Sequence, residues 1–239
     1  MQPKFNRIPN LVSVVISSYN ASDYLLESID SIAQQTYKPI EIIVINDGST
    51  DKTDQIIQSW MEQKNNQPLV KNNQFIYLKL PHNIGYSGAF TTGYFLARGE
   101  FIAMQAADDI SHPQRIEKQV QYLREHQEID LVGTDLSLFN DRNFDNQWQM
   151  QFVQYGWENI SRTYFWGSHC ISHGTILFRG EIFDRLGGLE RYPQGKETVA
   201  EDYYFINKYF QNGIRIDNIP EVLYYYRSHP SQRSKNETW

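Results

Sequence analysis

The chain has 239 residues, of which 40% are hydrophobic, and this is enough to bury the core of one large domain. The formal net charge is −6, and no cluster of Lys and Arg alternates with aromatic residues, so we expect no nucleic-acid partner. A single cysteine, Cys170, excludes an internal disulfide framework and favours a reducing, cytoplasmic compartment. The sequence has no run of about 18 consecutive apolar residues, so we expect no transmembrane segment and at most peripheral association with a membrane.

The first half of the chain alternates short apolar runs with segments in which apolar residues recur at helical spacing. Runs at 11–16, 40–45, 75–80 and 101–105 predict buried strands, and another is predicted at 131–139. Helices are predicted after the first four strands, with Ser22 or Asp23 capping the first helix and Gly99 closing the third. Such alternation implies parallel strands joined by right-handed crossovers, and therefore an α/β fold.

After about residue 140 this alternation stops. Residues 141–151 are polar and are predicted to be irregular. The remainder predicts a strand at 174–179, helices near 181–186 and 201–211, and a last strand at 222–226.

Three of the predicted strands end in polar side chains: Ser17, Asp47 and the pair Asp108–Asp109. Each is also typical of a turn or a helix cap, and the aspartate pair could cap the helix near Pro113. However, open parallel sheets bind ligands at the carboxyl ends of their strands. Adjacent carboxylates repel unless a cation or hydrogen-bond donors offset them, and carboxylates select Mg²⁺ or Mn²⁺. Because neighbouring side chains of extended backbone point opposite ways, one aspartate can face a ribose and the other a metal ion.

Segments 12–20, 41–51 and 99–115, which contain these strand ends, resemble the signature segments of inverting family 2 glycosyltransferases. The resemblance implies a GT-A fold, in which a Rossmann-like, mostly parallel sheet is flanked by helices. It also implies a single domain over residues 1–239. The nucleotide-sugar half would span about 11–120, and a smaller acceptor-binding half would span about 130–230.

The resemblance also implies roles for individual residues. The donor would be held by residues from four loops, namely Ser17, Tyr19, Asp47, Asn83, Gly85 and Asp108. Asp47 would bind the ring N–H of uracil or another base, Asp108 the ribose, and Asp109 the Mn²⁺ or Mg²⁺ ion, although the two adjacent roles can be exchanged. Two departures from the family pattern are Ala106, where an acidic residue often stands, and Phe90, where an arginine is common. The charge that offsets the diphosphate must then come from the metal or from elsewhere.

The catalytic base is expected in the second half of the chain. An inverting transfer is a single displacement and needs a carboxylate that takes the proton of the acceptor hydroxyl. Glu201–Asp202 resembles the family's Glu-Asp pair, so Asp202 is the expected base, with Glu201 next; the alternative is an acid that stabilises a helix N-terminus. His229, in a tail segment like the family's, would bind the metal or a phosphate, or lie in a surface turn. His173 would either contact the acceptor or the donor sugar, or be a structural histidine packed in the core.

Together these residues imply a metal-dependent enzyme. It would move a sugar from a nucleoside diphosphate donor, expected to be UDP-linked, to a hydroxyl of a glycan or lipid-linked saccharide, with inversion, in polysaccharide biosynthesis. Two alternatives stay open: a non-catalytic module that binds nucleotide sugars, and a nucleotidyltransferase. The second usually has a glycine-rich, basic phosphate loop, whereas residues 17–20 are neither glycine-rich nor basic.

Overall fold

The computed structural model describes residues 6–64, 74–141, 143–190 and 201–232. Its first half contains β1 (Ile8–Ser18), α1 (Leu25–Ala33), β2 (Ile40–Asn46), α2 (Thr53–Lys64), β3 (Phe75–Lys79), α3 (Tyr86–Leu96), β4 (Gly99–Ala106), β5 (Ile110–Ser111) and α4 (Arg115–Glu125). The second half contains β6 (Leu131–Asn140), β7 (Asn143–Gln149), α5 (Trp157–Phe165), a 3₁₀ turn (His173–Thr175), β8 (Leu177–Arg179), α6 (Gly180–Leu186), α7 (Glu201–Gln211) and β9 (Ile216–Ser228).

All of these strands belong to one mixed sheet in the order β3-β2-β1-β4-β8-β6-β9-β5, with β7 paired to β6. Strand β1 runs parallel to both neighbours, so that Val14 lies opposite Ile42 of β2 and Ala103 of β4. Strand β8 is antiparallel to β4 and to β6, so β6 and its parallel partner β9 point the same way as β1. The carboxyl ends of β1, β2, β4 and β9 therefore lie at the same edge of the sheet.

Helices cover both faces of the parallel strands, which explains why the strand sequences are apolar without alternation. Val14 packs with Leu25 and Ile29 of α1 on one face. Val15, the next residue, packs with Phe90 and Tyr94 of α3 on the other face. The predicted mostly parallel sheet flanked by helices is confirmed. Within the described residues, no helix is both long enough and apolar enough to cross a bilayer.

Two predicted helix ends are wrong. The position before α1 is Tyr24, which makes no capping hydrogen bond through its side chain, so neither Ser22 nor Asp23 caps this helix. Helix α3 ends at Leu96, and Gly99 is instead the first residue of β4. A Cβ atom at Gly99 would lie 2.6 Å from the carbonyl oxygen of Leu11, so glycine is needed here for close approach of two backbones.

The second half differs more from the prediction. Residues 143–149, predicted to be irregular, form β7, whose seven residues are all exposed, so no buried face imposes an apolar pattern on them. The strand predicted at 174–179 is shortened to β8 by the 3₁₀ turn that precedes it. The last strand is longer than predicted because β9 pairs with the full length of β6. Helix α5 was not predicted.

Candidate active site

A cavity of about 580 Å³ lies at the edge where the carboxyl ends of the strands meet. Its wall includes every residue expected to hold the donor, together with His229 and Glu201: Ser17, Tyr19, Asp47, Asn83, Gly85, Asp108, Glu201 and His229. Phe90 and Ala106 also line it, and none of the described lining residues is a lysine or an arginine. The fold therefore brings the predicted residues together around a space with little positive charge of its own.

Asp47 holds the loop that follows β3. Its side chain is buried, with Oδ1 accepting a hydrogen bond from the Ile84 N–H at 2.7 Å and Oδ2 accepting one from the Gly85 N–H at 3.0 Å. Gly85 has φ of 84°, a left-handed conformation that favours glycine, and the Asn83 Oδ1 also accepts its N–H at 3.0 Å. Because each carboxylate oxygen has two acceptor positions, Asp47 can still accept a ring N–H.

The loop after β1 is tied to the loop after β2. The Asn20 Oδ1 accepts the Thr50 N–H at 2.9 Å, and the Asn20 N–H donates to the Ser49 Oγ at 3.0 Å. Tyr19, next to Asn20, lines the cavity and is 51% exposed. An aromatic face held in this way can stack on a planar base.

The adjacent aspartates, Asp108 and Asp109, lie in different surroundings. Asp109 is buried and does not line the cavity; its Oδ2 accepts the Tyr224 O–H and its Oδ1 the Arg227 N–H, both at 2.8 Å. Burial raises the pKa of Asp109 well above its ordinary value, and the charge of Asp108 raises it further. Both oxygens of Asp109 thus accept hydrogen bonds from β9, away from the cavity wall, and its expected metal role stays a prediction to be tested against Asp108.

Asp108 lines the cavity beside His229. The Asp108 Oδ2 lies 3.0 Å from the His229 Nε2, while the other ring nitrogen, Nδ1, lies 2.9 Å from the Ser231 Oγ. The imidazole also packs on the ring of Tyr24, with the ring centres 4.4 Å apart. Of the two acidic residues, Asp108 is therefore the one that lines the cavity.

The carboxylate of Asp108 is a ligand that suits Mn²⁺ or Mg²⁺, whereas the imidazole of His229 is a ligand more typical of Zn²⁺, Fe²⁺ and other softer ions. Over residues 6–64, 74–141, 143–190 and 201–232, no group of three or more His, Cys, Asp or Glu side chains is placed to hold a metal ion. Mg²⁺ is commonly held by one or two carboxylates plus the phosphates of the substrate, so two protein ligands fit an ion that arrives with a diphosphate.

Arg227 is a site residue that the sequence did not single out. It is buried between the rings of Tyr24 and Phe139, with its Nε donating to the Asp108 carbonyl oxygen at 2.7 Å and its guanidinium paired with Glu27. It thereby attaches the end of β9, and His229 two residues later, to the strand end that carries Asp108. The sequence signal that could have identified Arg227 is its position two residues before His229 in the tail segment.

Glu201 and Asp202, at the start of α7, lie in different places. Glu201 lines the cavity, whereas Asp202 lies next to it, with 41% of its side chain exposed. The Asp202 Oδ1 accepts the Tyr203 N–H at 2.8 Å, and Oδ2 lies 3.7 Å from the His169 Nε2. Burial alone would raise the pKa of Asp202, but His169, His173 and the Tyr203 N–H lower it to about 2. Asp202 is therefore ionised at neutral pH and open to an acceptor.

His173 lies behind the cavity wall and not in it. Its Nδ1 is 2.7 Å from the Tyr86 hydroxyl, and its ring packs against Phe90 and Phe205. Burial lowers the pKa of His173 to about 4, so the ring is neutral at pH 7. Of the two expected roles, the packing position fits the core role, in which His173 holds Tyr86 against the cavity.

The chain was compared with known proteins. A family model described as "Glycosyl transferase family 2" matches residues 13–187. An uncharacterized glycosyltransferase of Methanocaldococcus jannaschii is 32% identical over 219 residues, which cover 91% of this chain and 70% of that protein. The putative glycosyltransferase EpsE of Bacillus subtilis is 31% identical over 216 residues, covering 89% of this chain and 71% of EpsE.

Two solved structures have a similar fold. The structure of S. aureus TarS 1-349 in complex with UDP-GlcNAc matches with a TM-score of 0.71 at 21% identity, covering 95% of this chain and 61% of that one. The mannosyltransferase PcManGT from Pyrobaculum calidifontis, in complex with GDP-Man and Mn²⁺, matches with a TM-score of 0.66 at 19% identity, covering 94% of this chain and 59% of that one. This chain thus spans about three fifths of each of those structures.

Proposed function

This chain belongs to glycosyl transferase family 2 and has the GT-A fold, and we propose that it transfers a hexose from a UDP-linked donor to an acceptor hydroxyl, with inversion and with help from a divalent metal ion. The observation that carries the proposal is the cavity lined by Asp47, Asp108, His229 and Glu201, with Asp202 following Glu201 at the start of α7. The acceptor is proposed to be a glycan or lipid-linked saccharide of polysaccharide biosynthesis in the cytoplasm. TarS, one of the proteins with a similar fold, was crystallised with UDP-GlcNAc.

The donor end of the cavity would bind the nucleoside. Asp47 would accept the ring N–H of uracil while its backbone contacts keep the loop of Asn83 and Gly85 in place. Tyr19 would stack on the base, and Ser17 would lie beside it at the end of β1. The loops are already hydrogen-bonded to one another without ligand, so ordering them on binding costs little conformational entropy.

Asp108 and His229 would hold the metal ion. When bound, the ion supplies the positive charge that offsets the departing diphosphate, which the described wall, without Lys or Arg, does not provide. The 3.0 Å contact between the His229 Nε2 and the Asp108 Oδ2 needs a proton between these two atoms, so a bound ion would take the place of that proton while the His229 Nδ1–H donates to the Ser231 Oγ. Arg227 keeps these two side chains together.

Asp202 would act as the general base. As the acceptor oxygen forms its bond to the anomeric carbon, Asp202 takes the hydroxyl proton, and the bond from that carbon to the diphosphate oxygen breaks on the opposite face. One displacement of this kind inverts the configuration. The ionised state and exposed surface of Asp202 at neutral pH support this role.

A binding screen followed by a turnover assay tests the proposal. Melting temperature is measured with UDP-GlcNAc, UDP-glucose and GDP-mannose, each with Mn²⁺ and with EDTA. At 100 times the dissociation constant a ligand stabilises by about 2.7 kcal/mol, so the preferred donor should stand out. Release of UDP that needs Mn²⁺ supports the proposal, and an inverted anomer in the product supports the mechanism.

Other outcomes contradict parts of the proposal. Preference for GDP-mannose would overturn the UDP assignment, and equal turnover in EDTA would overturn the role of the metal. Tight donor binding without release of nucleotide, even with a range of saccharide acceptors, would favour the non-catalytic module instead.

A further inference from the structure

A chain of three side chains ends at Asp202. The hydroxyl of Tyr164, on α5, lies 2.7 Å from the Nδ1 of His169, and the Nε2 of His169 lies 3.7 Å from the Asp202 Oδ2. Tyr164 is buried, whereas His169 is partly exposed in the loop after α5. The rings of Tyr164 and Tyr203 are stacked, with 5.8 Å between centres and 9° between planes. These contacts join α5 to the start of α7 at the residue proposed as base.

The contact with Tyr164 determines which nitrogen of His169 carries the proton. Burial raises the pKa of Tyr164 far above its ordinary value, so its hydroxyl stays protonated and needs an acceptor. That acceptor is the His169 Nδ1, because it lies within hydrogen-bond distance. In the neutral ring the proton is then on Nε2, which is the nitrogen that faces Asp202.

We propose that His169 is a positioning residue, which holds the Asp202 carboxylate in place through the N–H on Nε2. At 3.7 Å the two atoms are in electrostatic contact, and such contacts often shorten when substrates bind. With Oδ1 already accepting the Tyr203 N–H, both oxygens are restrained. The proton that Asp202 takes from the acceptor leaves to solvent through its exposed surface. This inference rests on the proposed function, in which Asp202 is the base.

Two substitutions at His169 separate the N–H donor from the bulk of the side chain. Gln keeps an N–H group near the position of Nε2, whereas Leu has similar bulk and no donor. We expect His169→Leu to lower kcat for UDP release about 10- to 100-fold with the donor KM changed less than about 2-fold, and His169→Gln to stay within about 3-fold of wild type. The assay uses UDP-GlcNAc with water as acceptor, or whichever of the three screened donors stabilises most.

A double-mutant cycle tests the role of Tyr164. Tyr164→Phe removes the hydroxyl that directs the ring proton to Nε2, so it should lower kcat about 3- to 10-fold alone. In combination with His169→Leu it should add nothing, because its effect passes through the imidazole. Additive effects on kcat would show that Tyr164 acts independently of His169 and would overturn this part of the inference.

The matched control is a second pair of histidine and carboxylate at the same distance. The His126 Nδ1 lies 3.7 Å from the Glu128 Oε1 after α4, at the opposite edge of the sheet from the cavity. His126→Leu should leave kcat, donor KM and the pKa of Asp202 unchanged.

Magnetic resonance provides readouts that a purely structural role would not move. Nitrogen-15 spectra should show the proton of His169 on Nε2 in the wild type, and carbon-13 titration should show the pKa of Asp202 rising towards 3.8 in His169→Leu. A proton on Nδ1, or an unchanged Asp202 pKa, would overturn the inference, even if the Leu variant proves too unstable for kinetics.

Asp202→Asn distinguishes the inference from the proposed function. If this variant keeps full turnover, the assignment of the base is wrong and the positioning role falls with it, whatever the spectra show. If it loses turnover while His169→Leu does not, the base stands and only the inference about His169 is overturned.

Discussion

Replacing Asp108 and Asp109 one at a time should affect different properties, although the two residues are adjacent. Loss of Asp109 should mainly lower stability, and loss of Asp108 should mainly lower turnover. Asp109→Ala leaves two buried donors without their acceptor, the Tyr224 O–H and the Arg227 N–H. Each unsatisfied donor costs about 1–3 kcal/mol, and loss of the buried carboxyl beside Asp108 returns part of this. We expect a net loss of about 2–4 kcal/mol in the free energy of unfolding, which lowers Tm by roughly 5–15 °C in a chain of this size.

Asp108→Ala removes a side chain that is 30% exposed and contacts His229. The free energy of unfolding should fall by about 1–2 kcal/mol, because His229 is buried and its Nε2 loses this partner. Turnover should fall at least about 100-fold, since the diphosphate loses the ligand of its counter-ion. Asp109→Asn is the matched control: it keeps an acceptor for the Arg227 N–H and should cost about 1 kcal/mol.

Thermal melts and Mn²⁺ titration followed by electron paramagnetic resonance, with UDP present, check both residues. Asp108→Ala should melt only a few degrees below the wild type and lose Mn²⁺, whereas folded Asp109→Ala or Asp109→Asn should bind Mn²⁺ within about 3-fold of the wild type. The reasoning would be refuted if Asp109→Asn melted normally but lost Mn²⁺ while Asp108→Ala retained it.

Three further predictions follow from the structure. Asp202→Asn should keep donor affinity, measured by calorimetry, while transfer falls about 10²- to 10⁴-fold; unchanged turnover would move the base to Glu201. The pKa of Asp202 is lowered from 3.8 to about 2 in the folded protein, so the contribution of this carboxylate to stability is complete above about pH 4 and is lost as the pH falls towards 2. Asp202 therefore stays ionised between pH 5 and 8, and a pH profile of kcat should show no inflection from it in this range. Gly99→Ala should lower Tm by several degrees in calorimetry, because its Cβ would meet the Leu11 carbonyl oxygen at 2.6 Å; an unchanged Tm would contradict that close approach.

The sequence by itself predicted the elements whose pattern is local. The parallel strands of the first half are short β-branched runs because helices bury both their faces, and their helices show apolar residues at helical spacing. Helix α5 carries the same signal, because Trp157, Ile160 and Tyr164 are three and four residues apart and pack inward. Strand β7 carried no such signal, because none of its side chains is buried.

The residues around the cavity were also predictable, because polar groups at the ends of parallel strands must meet at one edge. Which of Asp108 and Asp109 faces the cavity was not predictable. Alternation along the backbone requires only that the two side chains point in different directions, and it does not say which one faces the cavity. The return of β9 decided this: Tyr224 and Arg227 take both oxygens of Asp109, and the same strand delivers His229 to Asp108. Contacts between residues more than a hundred positions apart leave no periodic trace in the sequence, so only the tertiary structure could assign them.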